Sequence, residues 1–387
     1  MDTIASFCLW PFWNGGESRR PYNLLIEDLM RGHRVIYVWS GEGGLDYRDI
    51  DIDKTIAHIH AANPETAALY KRLEVVHLNS EDGSLRQVFP EPSAAIDLAI
   101  SELRPAYARV HTPVTAFLPL LRALRDQGTK VVYDRMDAWA EFPALPGWHT
   151  GDIEIERAFT TVANGLTVVT PELARDLRTA DLPTRTIPNA ISRPFLRALL
   201  ATPKPRPSDP PMVLYSGLMN PSFFDWDICY NVIKSCPEFN FVLVGKRGFW
   251  HDHELGLQVQ EQEARLRTLP NSTLVEWVPH QELPKFIRQA SAAIIPFAEG
   301  PVTSGVIPLK VFEYIAAGIP VVSSSLPAIA DYPLVYAVAT WQEMSERLRE
   351  ALAAPPTPTA LREAELFVEA NTWRERAQAM EDFAHAL

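Results

Sequence analysis

Cysteine is scarce in this chain of 387 residues: Cys8, Cys229 and Cys236 are the only three. So few scattered thiols build no disulfide framework, and they suit a reduced, cytoplasmic setting. No run of about 18 apolar residues occurs, so no membrane-spanning helix is expected. The opening MDTIASFCLWPFW lacks the basic n-region of a signal peptide and reads as a first strand. Positive charge is in deficit, with 36 Lys and Arg against 48 Asp and Glu and a net charge of −12. That balance argues against nucleic acid as the main partner. A G-x-G-x-x-G dinucleotide fingerprint is missing: Gly41, Gly43 and Gly44 have the wrong spacing and follow the second predicted strand. Cys229, Cys236, His251 and His253 fit no zinc signature, so no metal is expected there. Two D-x-D pairs, Asp51-Ile52-Asp53 and Asp225-Trp226-Asp227, offer the paired carboxylates that suit a hard divalent cation. The first lies outside a strand end and the second opens a helix, where acids favour the dipole.

What is present describes a soluble globular protein, 47% hydrophobic and 22% charged. Its length calls for about two domains. Strands and helices alternate: Ile4–Trp10 strand, a glycine turn at Asn14–Glu17, Arg20–Met30 helix, His33–Trp39 strand. A helix near Ile56–Arg72 and a strand at Val75–Leu78 follow, then a loop through Pro90. The pattern continues as Ala94–Leu103 helix, Tyr107–His111 strand, Val114–Gln127 helix, Lys130–Tyr133 strand and Glu154–Ala163 helix. Such alternation predicts a doubly wound parallel sheet that binds ligands beyond its strand C-termini. The segment Pro203–Pro211 has five prolines in nine residues, a semi-rigid spacer. The expected division is therefore a first α/β domain over 1–195, a linker over 196–211, a second α/β domain over 212–372 and a last helix over 373–387.

The most informative stretch is PVTSGVIPLKVFEYIAAGIPVVSSS, residues Pro301–Ser325. Pro308 suits a first helical turn, and Leu309, Phe312, Ile315 and Ala316 then make one apolar stripe. Gly318 reads as the residue after the helix, and Pro320-Val321-Val322 begins a buried strand. Before the helix, Ser304, Gly305 and Val306 offer small-residue amides which, with the helix dipole, favour an anion. Lys310 and Glu313 share a face of that helix.

Glu313-Tyr314-Ile315-Ala316-Ala317-Gly318-Ile319-Pro320-Val321 resembles, position by position, the E-x-x-A-x-G-x-P-V donor motif of GT-B glycosyltransferases of the family 4, or group 1, clan. The resemblance implies two Rossmann-like domains facing a central cleft, with the C-terminal helix crossing back to the first. It further implies transfer of a sugar from a UDP- or GDP-linked donor to a glycan, polysaccharide or lipid-linked acceptor, without metal or other cofactor. Glu313 would hold the ribose, Lys310 and the Ser304–Val306 amides the diphosphate. Gly217, Lys246, Arg247 and the backbone at Val278 would complete the donor site. The family's second glutamate, eight positions before Glu313, is Gly305 here. In the first domain Gly15, Gly16 and Arg20 match the loop that faces an acceptor or diphosphate. Tyr133-Asp134-Arg135-Met136-Asp137-Ala138-Trp139 resembles the Y-D-x-M-D-x-W segment of teichuronic-acid-type glycosyltransferases and the aspartate base of the xanthan glucuronosyltransferase. By that match Asp137 is the candidate base or the cap of the next helix, with Asp134 and His111 as further candidates. Cytoplasmic placement follows, extending to association with the inner face of the membrane. A GT-B sugar-nucleotide epimerase, a metal-dependent GT-A enzyme and a non-catalytic binding protein stay open as alternatives.

Overall fold

Short apolar strands separated by amphipathic helices bury both faces best in a parallel sheet covered on two sides. The computed structural model of the chain has this form. It describes residues 1–12, 19–40, 57, 68–78, 85–89, 104–142, 152–177, 179, 181–247 and 254–387. Gly15, Gly16, Asp51, Asp53, His251, His253 and the expected helix Ala94–Leu103 lie outside the described residues. The chain divides into two compact units, Met1–Pro188 with Trp373–Leu387, and Asn189–Thr372.

In the first unit the strands are β1 (Thr3–Cys8), β2 (Arg34–Ser40), β3 (Leu73–Leu78), β4 (Leu85–Phe89), β5 (Tyr107–Val110), β6 (Lys130–Arg135), β7 (Gly165–Val168) and β8 (Thr184–Thr186). They are ordered β4-β3-β2-β1-β5-β6-β7-β8. Among the described residues of this sheet, only β3 and β4 pair antiparallel. Strand β4 corrects the expected loop: its backbone pairs along β3 and covers what would otherwise be an open sheet edge. Helices α1 (Arg20–Met30), α2 (Leu118–Asp126) and α3 (Ile153–Val162) connect the strands.

The second unit begins earlier than the sequence division placed it. Residues Arg193–Ala201, divided between first domain and linker in that reading, form helix α4, with Phe195 and Leu199 buried in the second unit. Between that helix and the next strand, residues 202–211 carry neither helix nor strand. The strands β9 (Met212–Ser216), β10 (Asn240–Val244), β11 (Ser272–Val275), β12 (Ala292–Ile295), β13 (Val321–Ser324) and β14 (Val335–Val338) are ordered β11-β10-β9-β12-β13-β14. Their helices are α5 (Trp226–Ser235), α6 (Glu254–Arg267), α7 (Leu283–Gln289), α8 (Leu309–Ala316), α9 (Trp341–Ala353) and α10 (Pro358–Ala370). Asp225 caps α5 by accepting from the Ile228 amide at 2.8 Å, and Asp227 pairs with Arg265, so this acid pair serves the helix. The last helix, α11 (Trp373–Ala386), belongs to the first unit, where Trp373, Ala377, Met380 and Ala384 are buried along one stripe. Among the described residues no helix is long and apolar enough to cross a membrane.

In each sheet the strand order reverses direction at its first strand, β1 or β9. Loops diverge there, and ligands of such sheets bind at that crevice. At the second of these points two glycines let backbones touch. Gly217, just after β9, has φ +136°, and Gly245, just after β10, has φ +143°. A Cβ on Gly245 would lie 2.0 Å from the Gly217 carbonyl oxygen. Clash and left-handed strain together should make Gly245→Ala cost on the order of 3 kcal/mol. A thermal melt of that variant is expected several degrees below the parent; an unchanged melt would contradict the close approach.

Candidate functional site

Helix α8 carries the donor motif, and its position is fixed from both ends. Pro308 sits at the N-cap with φ −66° and ψ 131°, one residue before the helix rather than inside its first turn. At the other end the Gly318 amide bonds Ile315 O (2.9 Å) and the Ile319 amide bonds Tyr314 O (3.3 Å), a Schellman closure. From the middle, the Tyr314 hydroxyl receives the Ser216 amide at 2.8 Å and meets Ser216 Oγ at 2.9 Å. The helix is thereby tied to the end of β9, at the switch point.

Lys310 points into that point. Its Nζ lies 3.2 Å from the Tyr215 hydroxyl, 4.5 Å from the centre of the Tyr215 ring and 4.8 Å from that of Phe297. A Cβ on Gly217 would sit 2.8 Å from the same Nζ, so only glycine leaves room for it. Burial against these rings pushes the ammonium pKa down to about 7, partly opposed by the charge of Glu313. One helical turn on, Glu313 is 7% exposed, and its Oε1 accepts from His280 Nε2 at 2.9 Å. His280 stacks on Phe195 of α4, with ring centroids 4.3 Å apart. The His280–Glu313 contact was not foreseen in the sequence, because 33 residues separate the two and no local pattern links them.

Other donor-side expectations come out differently. Arg247 is not poised for a phosphate: it pairs with Glu263 (3.0 Å) and Glu276 and donates to Val275 O (3.2 Å). Two carboxylates satisfy its fork. The amides of Ser304 and Val306 are also engaged, bonding Gly300 O (2.9 Å) and Thr303 O (3.2 Å) inside a tight turn. That turn closes on itself, so these two amides do not face a ligand. The flanking Gly305 has a contact of its own. Lys246 lies with Nζ 5.7 Å over the exposed Trp277 ring. Strand β11 stops at Val275, which leaves Val278 in the irregular segment before His280.

In the first unit two carboxylates three residues apart have opposite surroundings. Asp134 is fully buried at the end of β6. Arg20 donates to both its oxygens, at 2.8 and 2.9 Å, Thr167 Oγ1 donates at 2.7 Å, and His111 Nδ1 lies at 2.8 Å. Burial opposes its charge, yet the Arg20 and His111 contacts hold the carboxyl well below its ordinary range. Asp134 is a hub, saturated with partners, and Arg20 is its counter-ion rather than a residue open to an acceptor. His111 is closed off as well, between Asp134 and Ser6 Oγ (3.2 Å), and burial lowers its pKa to about 4. It is neutral near pH 7 and reaches no surface.

Asp137 lies just beyond the strand, half-buried, with no described hydrogen bond to its carboxylate. Burial raises its pKa to about 7, against the opposing pull of Arg20 and Arg135. It is not the side-chain cap of the short helix that follows, Trp139–Glu141. That segment is pinned by Glu156, which takes the Ala140 amide (3.0 Å), both ends of the Arg135 fork (2.6 and 2.7 Å) and the Tyr133 hydroxyl (2.8 Å). A carboxyl poised near neutrality beside a fixed backbone is suited to proton transfer.

Comparison with known proteins bears on the fold that carries these residues. Residues 227–382 match the family model described as Glycosyl transferase-like. Over 102 residues the chain is 33% identical to TuaH of Bacillus subtilis (strain 168), named for teichuronic acid biosynthesis as a glycosyltransferase. That match spans 26% of this chain and 24% of the relative's length. Sucrose-phosphate synthase from Thermosynechococcus elongatus superposes with a TM-score of 0.67 at 15% identity, covering 100% of this chain and 99% of that one. Anabaena HepE in complex with UDP-glucose superposes with a TM-score of 0.64 at 11% identity, covering 100% of both. The fold is GT-B. The resemblance read from Glu313–Val321 falls inside the 227–382 stretch that matches the glycosyl transferase-like model.

The two aspartates should separate in stability measurements. Asp134→Asn leaves Arg20 and His111 without their buried partner and should cost about 3–5 kcal/mol. Asp137 has a folded pKa above the unfolded one, so it costs stability progressively as pH rises from about 4 to about 7, and the loss is constant above that. Asp137→Asn should therefore melt close to the parent at pH 4 and above it at pH 8. A large loss for Asp137→Asn at both values would show that its carboxylate is structural.

Proposed function

We propose that the chain transfers a sugar from a UDP- or GDP-linked donor to a hydroxyl of a glycan, polysaccharide or lipid-linked saccharide. The observation that carries this reading is the placement of Lys310 and Glu313 one turn apart on α8, at the switch point of the second sheet. A carboxylate there can accept two ribose hydroxyls, and the His280 contact at one oxygen fixes its orientation. The Lys310 ammonium meets the diphosphate, whose charge grows as the glycosidic bond breaks. Preorganised positive charge in a partly dry site stabilises that state more than the bound donor. The HepE complexes with UDP and UDP-glucose support a nucleotide-sugar donor, and the name of TuaH supports a polysaccharide product.

In this reading the first unit supplies the acceptor site, and Asp137 takes the proton of the attacking hydroxyl, a contribution of roughly 10²–10⁴-fold. Its raised pKa keeps it basic enough to accept that proton near neutrality. Lysine and the α8 dipole do the neutralising that a cation does elsewhere, so turnover should survive EDTA. We place the reaction in the cytoplasm, at the inner membrane face when the acceptor is lipid-linked.

Glu313→Ala should lose UDP and GDP affinity at least tenfold while its melting curve stays near the parent's, and Asp137→Asn should keep donor affinity and lose turnover by 10²-fold or more. An alanine variant that binds every nucleoside diphosphate like the parent sinks the donor assignment. Protonation provides a second check. With its pKa lowered to about 7, Lys310 is mostly neutral at pH 8 in the free protein. A bound diphosphate favours the ammonium, so UDP binding at pH 8 should take up nearly one proton, and affinity should fall as pH rises above 7. Calorimetric titrations in buffers of different ionisation enthalpy read this uptake, which Lys310→Met should abolish.

A further inference from the structure

Three of the arginines in the first unit that are buried have a carboxylate partner: Arg20 pairs with Asp134, Arg109 with Asp28 and Arg135 with Glu156. Arg19 does not. No described residue forms an ion pair with it, and its Nη1 is buried without a hydrogen-bond partner. Its guanidinium instead lies 4.5 Å over the centre of the Trp10 ring. Burial lowers its pKa, opposed among the described residues by Cys8 and Tyr37, whose own raised pKa values leave both neutral near pH 7. Arg19 itself is only partly buried, but the end of its fork is shut off from water, and a desolvated cation without a matching anion is costly. The placement is also suggestive. Arg19 occupies the N-cap of α1, whose first turn holds no acidic residue, so the helix dipole adds to its field. Trp10 packs in turn on Trp139, ring centroids 5.9 Å apart, two residues after Asp137. Strands β1 and β6 flank β5 in parallel, so Trp10 and Asp137, each two residues beyond its strand, lie at the same edge of the sheet.

We propose that Arg19, braced on Trp10 at the start of α1, binds an oxyanion of the acceptor, so that the sugar substrate of this unit is an acidic or phosphorylated saccharide rather than a neutral one. The inference rests on the acceptor reading of the first unit and is independent of the donor residues. A guanidinium fork suits both a carboxylate and a phosphate, and Trp10 holds its plane in one orientation.

Calorimetric titration of the full chain with glucuronic acid, glucose 6-phosphate, inorganic phosphate and glucose tests it, with UDP as the donor control. The acidic sugars should bind at least tenfold more tightly than glucose and weaken with added salt. Arg19→Gln should remove that advantage while leaving UDP affinity within about twofold, and Arg19→Lys, which keeps the charge, should restore part of it. Preference between glucuronic acid and glucose 6-phosphate identifies the source of the oxyanion. The proposal is overturned if the parent does not prefer acidic sugars to glucose, or if Arg19→Gln and Arg19→Lys bind them as the parent does. Failure of UDP to bind the parent would remove the donor reading and leave the oxyanion site standing.

Discussion

The ammonium of Lys310 rests against two aromatic rings instead of a carboxylate, and much of the second unit serves to keep it there. Its stem needs the empty face of Gly217, which in turn presses against the backbone at Gly245. Its helix is held to the neighbouring strand by the Tyr314 hydroxyl on Ser216. The rings of Tyr215 and Phe297 shield the charge but neutralise none of it. The arrangement is stable enough to fold and remains short of one negative charge. In the proposed reading the donor diphosphate supplies that charge, and desolvation becomes selectivity for an anion.

The first unit separates two carboxylates of one short segment by their surroundings. Asp134 has four donors around it and is locked as an anion. Asp137 has burial without donors and sits near neutrality. The difference arises because β6 ends between them: Asp134 still faces the sheet interior, where Arg20, His111 and Thr167 converge from α1, β5 and β7, while Asp137 has left it. Pairs of like groups driven apart in this way are how acid–base roles are assigned within one site. Glu156 matters to both, because it holds Arg135 and the backbone at Ala140 in place.

Much of this was legible in the sequence, and the misses have identifiable causes. The alternation of elements foretold parallel sheets, and the E-x-x-A-x-G-x-P-V stretch located α8 to within a residue. Arg247 was misread because a basic residue after a strand looks alike whether its partner is a phosphate or Glu263 and Glu276. The Ser304 and Val306 amides were misread because small residues before a helix describe an open cradle and a self-closed turn equally well. Helix α4 was assigned across the first domain and linker because its prolines and apolar residues do not reveal which unit buries Phe195.

The sequence by itself determined the periodicities, the helix stop at Gly318 and the glycines that permit close approach, since each is a local consequence of side-chain shape and backbone freedom. Tertiary structure alone decided which charges would be neutralised. His280 reaches Glu313, Arg20 reaches Asp134 and Arg109 reaches Asp28 across separations of 33, 114 and 81 residues, whereas Lys310 and Arg19 are left facing rings. Charge, burial and partner act through distance in space, and chain order carries no record of that distance until the sheet has formed.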